Sequence, residues 1–280
     1  MTDIFYAEAA KGYTIKGVFD TLSANLHREC FTIAPHGILL CDADGNDKSP
    51  STIMFDIGLF RENFTRYIYN FKEPVFKISV NAKHLSRLVK NVKKKDSLIL
   101  SISSDCLNKL KITIKPADPE KETSRREVND VTIQTEMDRQ EHEAIPDSFY
   151  EWPMNITSMD FQKIKKMSTV GKLIDVQIQG DNYISFYCDG ADVYSTTLSF
   201  GRYKEDDTNI YKALFDTAIF NKLIKLTGLC NQIQFYAPSN AQMPLMIKLQ
   251  AGNLGVIKVF IKDKTTLDFE RSVIKNQEDE

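Results

Sequence analysis

The sequence predicts an α+β protein made of two similar domains with antiparallel sheets and few helices. Three observations lead there. The 280 residues are 42% hydrophobic, with 17 Phe and 11 Tyr, enough to fill the cores of two medium domains. A helix-like apolar period of about a dozen residues, followed by short alternating strands, recurs four times. A polar, acid-rich stretch between Pro116 and Trp152 divides the chain into halves of similar length. Helix followed by meander favours antiparallel sheets, each with a helix over one face.

The four units can be read in order. The first is YTIKGVFDTLSANL followed by ECFTIAPHGILLCDAD, and the second is NAKHLSRLVKNV followed by DSLILSIS and KLKITIK. The third is SMDFQKIKKMSTVG followed by DVQIQG, YISFYCD and VYSTTLSF. The fourth is FDTAIFNKLIKLTG followed by NQIQFYAP, PLMIKLQAG and GVIKVFIKD. Asp181-Asn182 and Gly252-Asn253 are hairpin signals between strands. The spacing of about 65–75 residues is longer than a solenoid repeat. The midpoint stretch holds Asp118, Glu120, Glu122, Glu127, Asp130, Glu136, Asp138, Glu141 and Glu143, and closes at Ile145-Pro146-Asp147. It reads as a polar excursion and linker, because so long a connection inside one compact domain would be unusual. The last residues, ending NQEDE, read as an acidic frayed tail.

Several classes are disfavoured. No apolar run is long enough to span a bilayer. The start, MTDIFYAEAAKGY, lacks the basic-then-apolar signal pattern, which predicts a chain that is not secreted. Cys30, Cys41, Cys106, Cys188 and Cys230 are odd in number and never spaced C-x-x-C, which predicts reduced thiols rather than a disulfide framework or zinc site. Two Asn-x-Thr sequons, at Asn63 and Asn155, carry no meaning in a non-secreted chain.

Net charge is only −2, but its distribution is uneven. In the second helix Leu85, Leu88, Val89 and Val92 form an apolar face, while Lys83, Arg87, Lys90 and Lys94 recur at i, i+4, i+7 and i+11 on another. Lys93 and Lys95 extend the run, and Asp96 is the first acid to follow. The third helix carries Lys163, Lys165 and Lys166, and the fourth Lys222 and Lys225. The first is weaker, with Lys11 and Lys16 against Asp20. For one helix a solvated face is the plain alternative. Three basic helices against an acidic midpoint and tail favour a focused positive surface that meets phosphates. None offers the Asn, Gln or Arg cluster that reads base edges, so sequence-independent binding is expected.

Repeats, basic helices and midpoint linker together resemble a sliding clamp of the proliferating cell nuclear antigen type. The resemblance covers roughly residues 5–264. It is carried by KGYTIKGVFDTL, ECFTIAPHGILL and DAD, by VNAKHLSRLVKNVKKKDSLIL, and by Ile145-Pro146-Asp147, where the family has Ile-Pro-Glu. The fourth unit adds FNKLIKLTGLCNQIQFY and MPLMIKLQAGNLGVIKVFIKDK, with Pro244 and Gly255 in place. No single motif is diagnostic; the order and spacing of all of them carry the likeness.

The resemblance implies a DNA clamp fold: a homotrimeric ring around duplex DNA, two helices of each domain lining the hole and sheets forming the wall. The chain would divide into an N-terminal clamp domain at 1–116, a connecting segment at 117–152, a C-terminal clamp domain at 153–268 and the acidic tail at 269–280. Subunits would join edge to edge through Lys109–Lys115 and Ala191–Phe200, although lysines along an edge strand also serve simply as edge protection. DNA-facing positions by likeness are Lys16, Arg87, Lys90, Lys163, Lys166 and Lys225, with Lys165 able to take the slot of Lys166. Gly17 and Ser23 stand where the family often has lysine; Lys83 and Lys94 can compensate, and Lys222 lies beside Lys225. A pocket for a short partner motif would use Ala43, Met54, Ile145, Pro244 and Phe260. These five also suit plain core positions. Lys262 and Asp263 depart from the family's Ala-Pro, and Glu143 from an apolar residue, so the preferred partner motif can differ.

The implied partners are double-stranded DNA, DNA polymerase and other clamp-binding proteins, and a clamp loader, at a nuclear site or at a cytoplasmic replication site if the chain is viral. No membrane, cofactor or metal is expected. Asp42-Ala-Asp44-Gly-Asn46-Asp47 starts like a calcium loop, but its glycine is at position four and Ile53 stands where Glu is required. His27, His36, His84 and His142 have no metal-ligand spacing, and Asp206-Asp207 lies in a polar loop. No phosphate loop, nucleophile elbow or zincin motif occurs, which points away from an enzyme. Two alternatives stay open: a specialised, hetero-oligomeric or monomeric clamp-like factor, and a DNA-processing enzyme with scattered active residues.

Overall fold

The computed structural model describes residues 2–26, 28–46, 49–118, 120, 126–135, 142–190, 194–205, 210–240 and 242–278. His27, Asp47, Glu122, Glu136, Asp138, Glu141, Ala191 and the pair Asp206-Asp207 lie outside the described residues. The chain is α+β, its described strand pairs antiparallel, and it divides into two compact units. Unit 1 comprises Met1–Asp42, Asp56–Glu143 and Gln250–Ile257; unit 2 comprises Ala43–Phe55, Ala144–Leu249 and Lys258–Glu280.

The first half of the chain opens with β1 (Asp3–Ala9), α1 (Gly12–Asn25), β2 (Arg28–Ala34), β3 (Gly37–Ala43) and β4 (Ile53–Phe60). After a short edge strand, β5 (Arg66–Tyr69), come β6 (Phe76–Asn81), α2 (Ala82–Leu88), β7 (Ser97–Ser103), β8 (Cys106–Lys115) and β9 (Glu127–Thr132). In the second half β10 (Pro153–Thr157), α3 (Ser158–Lys163), β11 (Leu173–Gln179), β12 (Tyr183–Asp189) and β13 (Ser195–Gly201) are followed by β14 (Ile210–Asp216), α4 (Thr217–Leu223), β15 (Gln232–Tyr236), β16 (Leu245–Ala251) and β17 (Gly255–Ile261). A last helix, α5 (Lys264–Glu278), ends the described chain. The order strand, helix, three strands therefore occurs four times.

The repeats are interlocked in pairs. In the first half of the chain, β1 sits in the sheet β5-β1-β7-β8-β9, while β6 sits beside β2 in the order β6-β2-β3-β4. In the second half, β10 heads β10-β15-β16-β17 and β14 closes β13-β12-β11-β14. The first strand of each repeat thus pairs with the meander of the other.

Sheet alternation follows the sequence. Along β4 buried and half-buried residues strictly alternate, with Ile53, Phe55, Ile57 and Leu59 buried. In unit 1, Ile15, Phe19 and Leu22 bury one face of α1, and Phe19 meets Phe31 of β2 edge to face at 6.1 Å. In unit 2 an aromatic core ties helices to sheets: Phe186 lies 5.7 Å from Phe235 and 6.0 Å from Phe220, and Phe161 lies 5.9 Å from Phe235. Both hairpin signals are used. Asn182 N donates to Gln179 O beside Gly180 at φ 52°, and Leu254 N donates to Ala251 O beside Gly252 at φ 56°.

Three features depart from the sequence reading. The acid-rich midpoint is not all linker: β9 lies in it and pairs with β8, and Gln134 exchanges two backbone hydrogen bonds with Ser79. The acids conceal a strand alternation in which Val131 and Ile133 are buried. Consequently Lys109–Lys115 is not an edge. Its lysines meet an acidic neighbour, with Lys111 directly opposite Asp130; that sheet ends at β5 and β9, and the sheet β13-β12-β11-β14 ends at β13 and β14. The tail is not frayed either. Asp263 accepts from the N–H groups of Thr265 and Thr266, capping α5, and Leu267 buries one side of the helix.

Candidate nucleic-acid interface and partner pocket

The basic residues are presented by the helices, and each unit builds its own helical pair. In unit 1, α1 and α2 lie against one another and are tied by polar links. Ser86 Oγ donates to the Asp20 carboxylate. Lys16 Nζ donates to the carbonyls of Lys90 (2.6 Å) and Val92 (3.4 Å), beyond the C-terminal end of α2. A cation suits that end, where carbonyls are left without helical partners. Lys16 is therefore a tether between the helices rather than a free surface charge.

α2 is shorter than its sequence period implies. Asn81 caps it, its side-chain oxygen accepting from Lys83 N and His84 N, but Val89 leaves helical geometry at φ −96°, ψ 6°. The β-branched Val89 and Val92 and the turn-forming Asn91 shorten the run. Lys83 and Arg87 stand on the helix, whereas Lys90 and Lys94 stand on the turns that follow. The i, i+7, i+11 face is thus not helical beyond Leu88. All four are exposed and make no ion pair among the described residues. Lys93 and Lys95 are exposed as well, and the buried Asp96 accepts from Lys93 N.

In unit 2 the helices also shorten into 3-10 turns, Ile164–Thr169 after α3 and Ile224–Gly228 after α4. Gln162 Nε2 donates to Thr227 Oγ1 at 2.9 Å, joining the two segments. Lys163, Lys165, Lys166, Lys222 and Lys225 are all exposed along them. Lys163 is partly spent at home: its amine lies 2.7 Å from Asp160, whose carboxyl is held below its ordinary range by that hydrogen bond and by Thr157. The side chains that can meet phosphates in unit 2 are hence chiefly Lys165, Lys166 and Lys222.

The pocket residues fall within unit 2. Met54, Ile145 and Phe260 come together with Tyr150, Met246, Phe149 and Tyr236. Tyr150 lies 5.9 Å from Phe260, and its hydroxyl donates to Pro244 O at 2.8 Å, which places Pro244 at the rim. Burial pushes the Tyr150 phenol well up, so it stays a donor at all ordinary pH. Ala43 is buried and is not among the residues of this cluster. Four cluster members escaped the sequence reading. Tyr236 and Met246 are directly paired on β15 and β16, and a strand-period search around Pro244 would have found them. Phe149 and Tyr150 follow Ile145-Pro146-Asp147 closely, and Asp147 itself is pinned by Lys258 at 2.8 Å.

Lys262 and Asp263 have a structural task beside Phe260. Lys262 Nζ sits 2.7 and 2.9 Å from the Glu270 carboxylate oxygens, and Asp263 caps α5. The loop at Asp42 and Asp44 is likewise committed: Asp42 accepts from Cys30 N, and Asp44 accepts from Thr52 N and Ile53 N. Those carboxylates serve the backbone of a turn. No cluster of three potential metal ligands occurs among the described residues, and no described helix is long and apolar enough to cross a membrane.

No family model and no curated protein sequence matches the chain.

Proposed function

We propose that the protein is a DNA sliding clamp, a processivity factor that encircles duplex DNA and recruits polymerase and other replication or repair proteins. One observation carries this reading: a fourfold strand–helix–three-strand repeat in which the segment of α2 in unit 1 and those of α3 and α4 in unit 2 present exposed basic side chains. Lys83, Arg87, Lys90 and Lys94 in unit 1, and Lys165, Lys166 and Lys222 in unit 2, supply exposed cations without groups arranged to read bases. Weak, sequence-blind phosphate contacts permit sliding, while ring closure would prevent escape. The cluster around Phe260 would hold an apolar anchor of a partner and raise its local concentration at the template. The chain itself needs no catalytic group for this task. A clamp loader would open the ring, and β9 and β13, each at one edge of its sheet, would join subunits.

The test is retention on DNA. Loaded onto a nicked circle, the protein should stay bound at a salt concentration that strips it from the same DNA once linearised. Equal loss from both forms would remove the topological mechanism.

A further inference from the structure

Unit 2 contains a cavity of about 400 Å³ that the clamp reading does not use. It is lined by Trp152 and Tyr211, by Ile178, Ile210 and Pro238, and by Glu151. Trp152 is the only tryptophan of the chain, and it is 59% exposed. An indole left so open beside a concavity is the kind of side chain that anchors a bound group. Tyr211 differs: its ring is largely sequestered, and burial pushes its phenol upward, with Asp263 and Tyr150 adding to the effect. The cavity wall therefore holds one exposed and one largely buried aromatic surface. The lining includes a carboxylate and, among the described residues, no lysine or arginine. Gly180, in a left-handed conformation at φ 52°, contributes backbone only, and its neighbour Asp181 adds a second negative charge to the same turn.

We infer that this cavity is a binding site for an arginine side chain presented by a partner polypeptide. A guanidinium is weakly hydrated, stacks on the faces of indole and phenol rings, and forms a two-point bond with a carboxylate. Its three-carbon stem matches the apolar wall of Ile178, Ile210 and Pro238. A lysine ammonium would meet the same charge but gain less from the rings and hold its water more firmly. The volume exceeds what one guanidinium fills and leaves room for part of a flanking residue, as befits a side chain on a peptide rather than a free small cation. The site stands on these residues alone and does not depend on ring formation or DNA binding.

Trp152 reports its own occupancy. The full-length protein is titrated with a short acetylated, amidated peptide carrying one arginine between alanines, and with peptides bearing citrulline or lysine in its place. Trp152 emission is read alongside NMR shifts of the Ile178 and Ile210 methyl groups. The arginine peptide should give a saturable change in both, about tenfold tighter than citrulline, which keeps the shape but lacks the charge. Glu151→Gln, at an exposed position, should weaken the arginine peptide to the citrulline level without altering thermal unfolding. Equal affinity for arginine and citrulline peptides, a lysine peptide as tight as the arginine one, or no saturable change in either readout would each overturn the assignment.

Discussion

Glu8, on β1, shows how single side chains set the response of the fold to acid. Burial works against its charge, but hydrogen bonds from Lys115 and Tyr6 win and hold its carboxyl below the ordinary range. A group depressed in the folded state stabilises above its unfolded pKa, and that contribution fades as pH falls through the folded pKa. Lys115→Met should therefore move the Glu8 titration upward by NMR and shrink the stability lost between neutral and mildly acid solution. An unchanged Glu8 titration would assign its depression to Tyr6 instead. The basic residues of unit 1 invite a different test. Arg87→Ala with Lys90→Ala removes two exposed side chains, so unfolding should shift by no more than about 0.5 kcal/mol each. DNA affinity should fall, and the slope of log K against log salt should lessen by about two. Lys16→Ala should act the other way round, loosening the α1–α2 contact with little effect on that slope, because its amine already serves Lys90 and Val92 carbonyls. Thermal unfolding and a salt series separate the two behaviours.

At the scale of elements, α5 is the plainest case of a segment decided by local chemistry. Its cap at Asp263, its 3.0 Å Lys264–Asp268 pair and buried Leu267 act against the charge of its last residues. Asp263→Ala should cost about 1 kcal/mol of helix stability, read as faster amide exchange across α5 with the strands unchanged. These parts are present in the sequence, since Asp263-Lys264-Thr265-Thr266-Leu267 is a helix start, although the acidic composition of the tail masks it. The same bias hid β9, where acids at alternate positions drew attention from Val131 and Ile133. The helices themselves were legible from their apolar period, but their lengths were not. Period alone cannot see where Val89 turns aside or where α3 and α4 tighten into 3-10 turns, because those endings answer to packing. In the apolar cluster around Phe260, Met54 and Ile145 were expected together from the family likeness, while Met246 and Tyr236 needed the strand register to come into view.

For the whole molecule, the proposed ring makes a statement about mass. Light scattering after size exclusion should give three times 32.0 kDa, about 96 kDa, stable on dilution; a monomer at all concentrations would leave only a clasp held by charge. The division into units carries another consequence, this one temporal. Unit 1 takes residues 250–257 from near the end of the chain: Phe60 N donates to Leu254 O, Asn63 Nδ2 donates to the same carbonyl, and Gly252 lies close against Thr14. A fragment ending at Glu143 should accordingly unfold more readily than its counterpart in the full chain, and adding residues 250–257 as a separate peptide should recover part of the difference. During synthesis unit 1 would wait, the hairpin at residues 250–257 missing, until that segment has left the ribosome. Unit 1 is then finished only after most of unit 2 has been made, and a chain released before residue 250 lacks a piece of it.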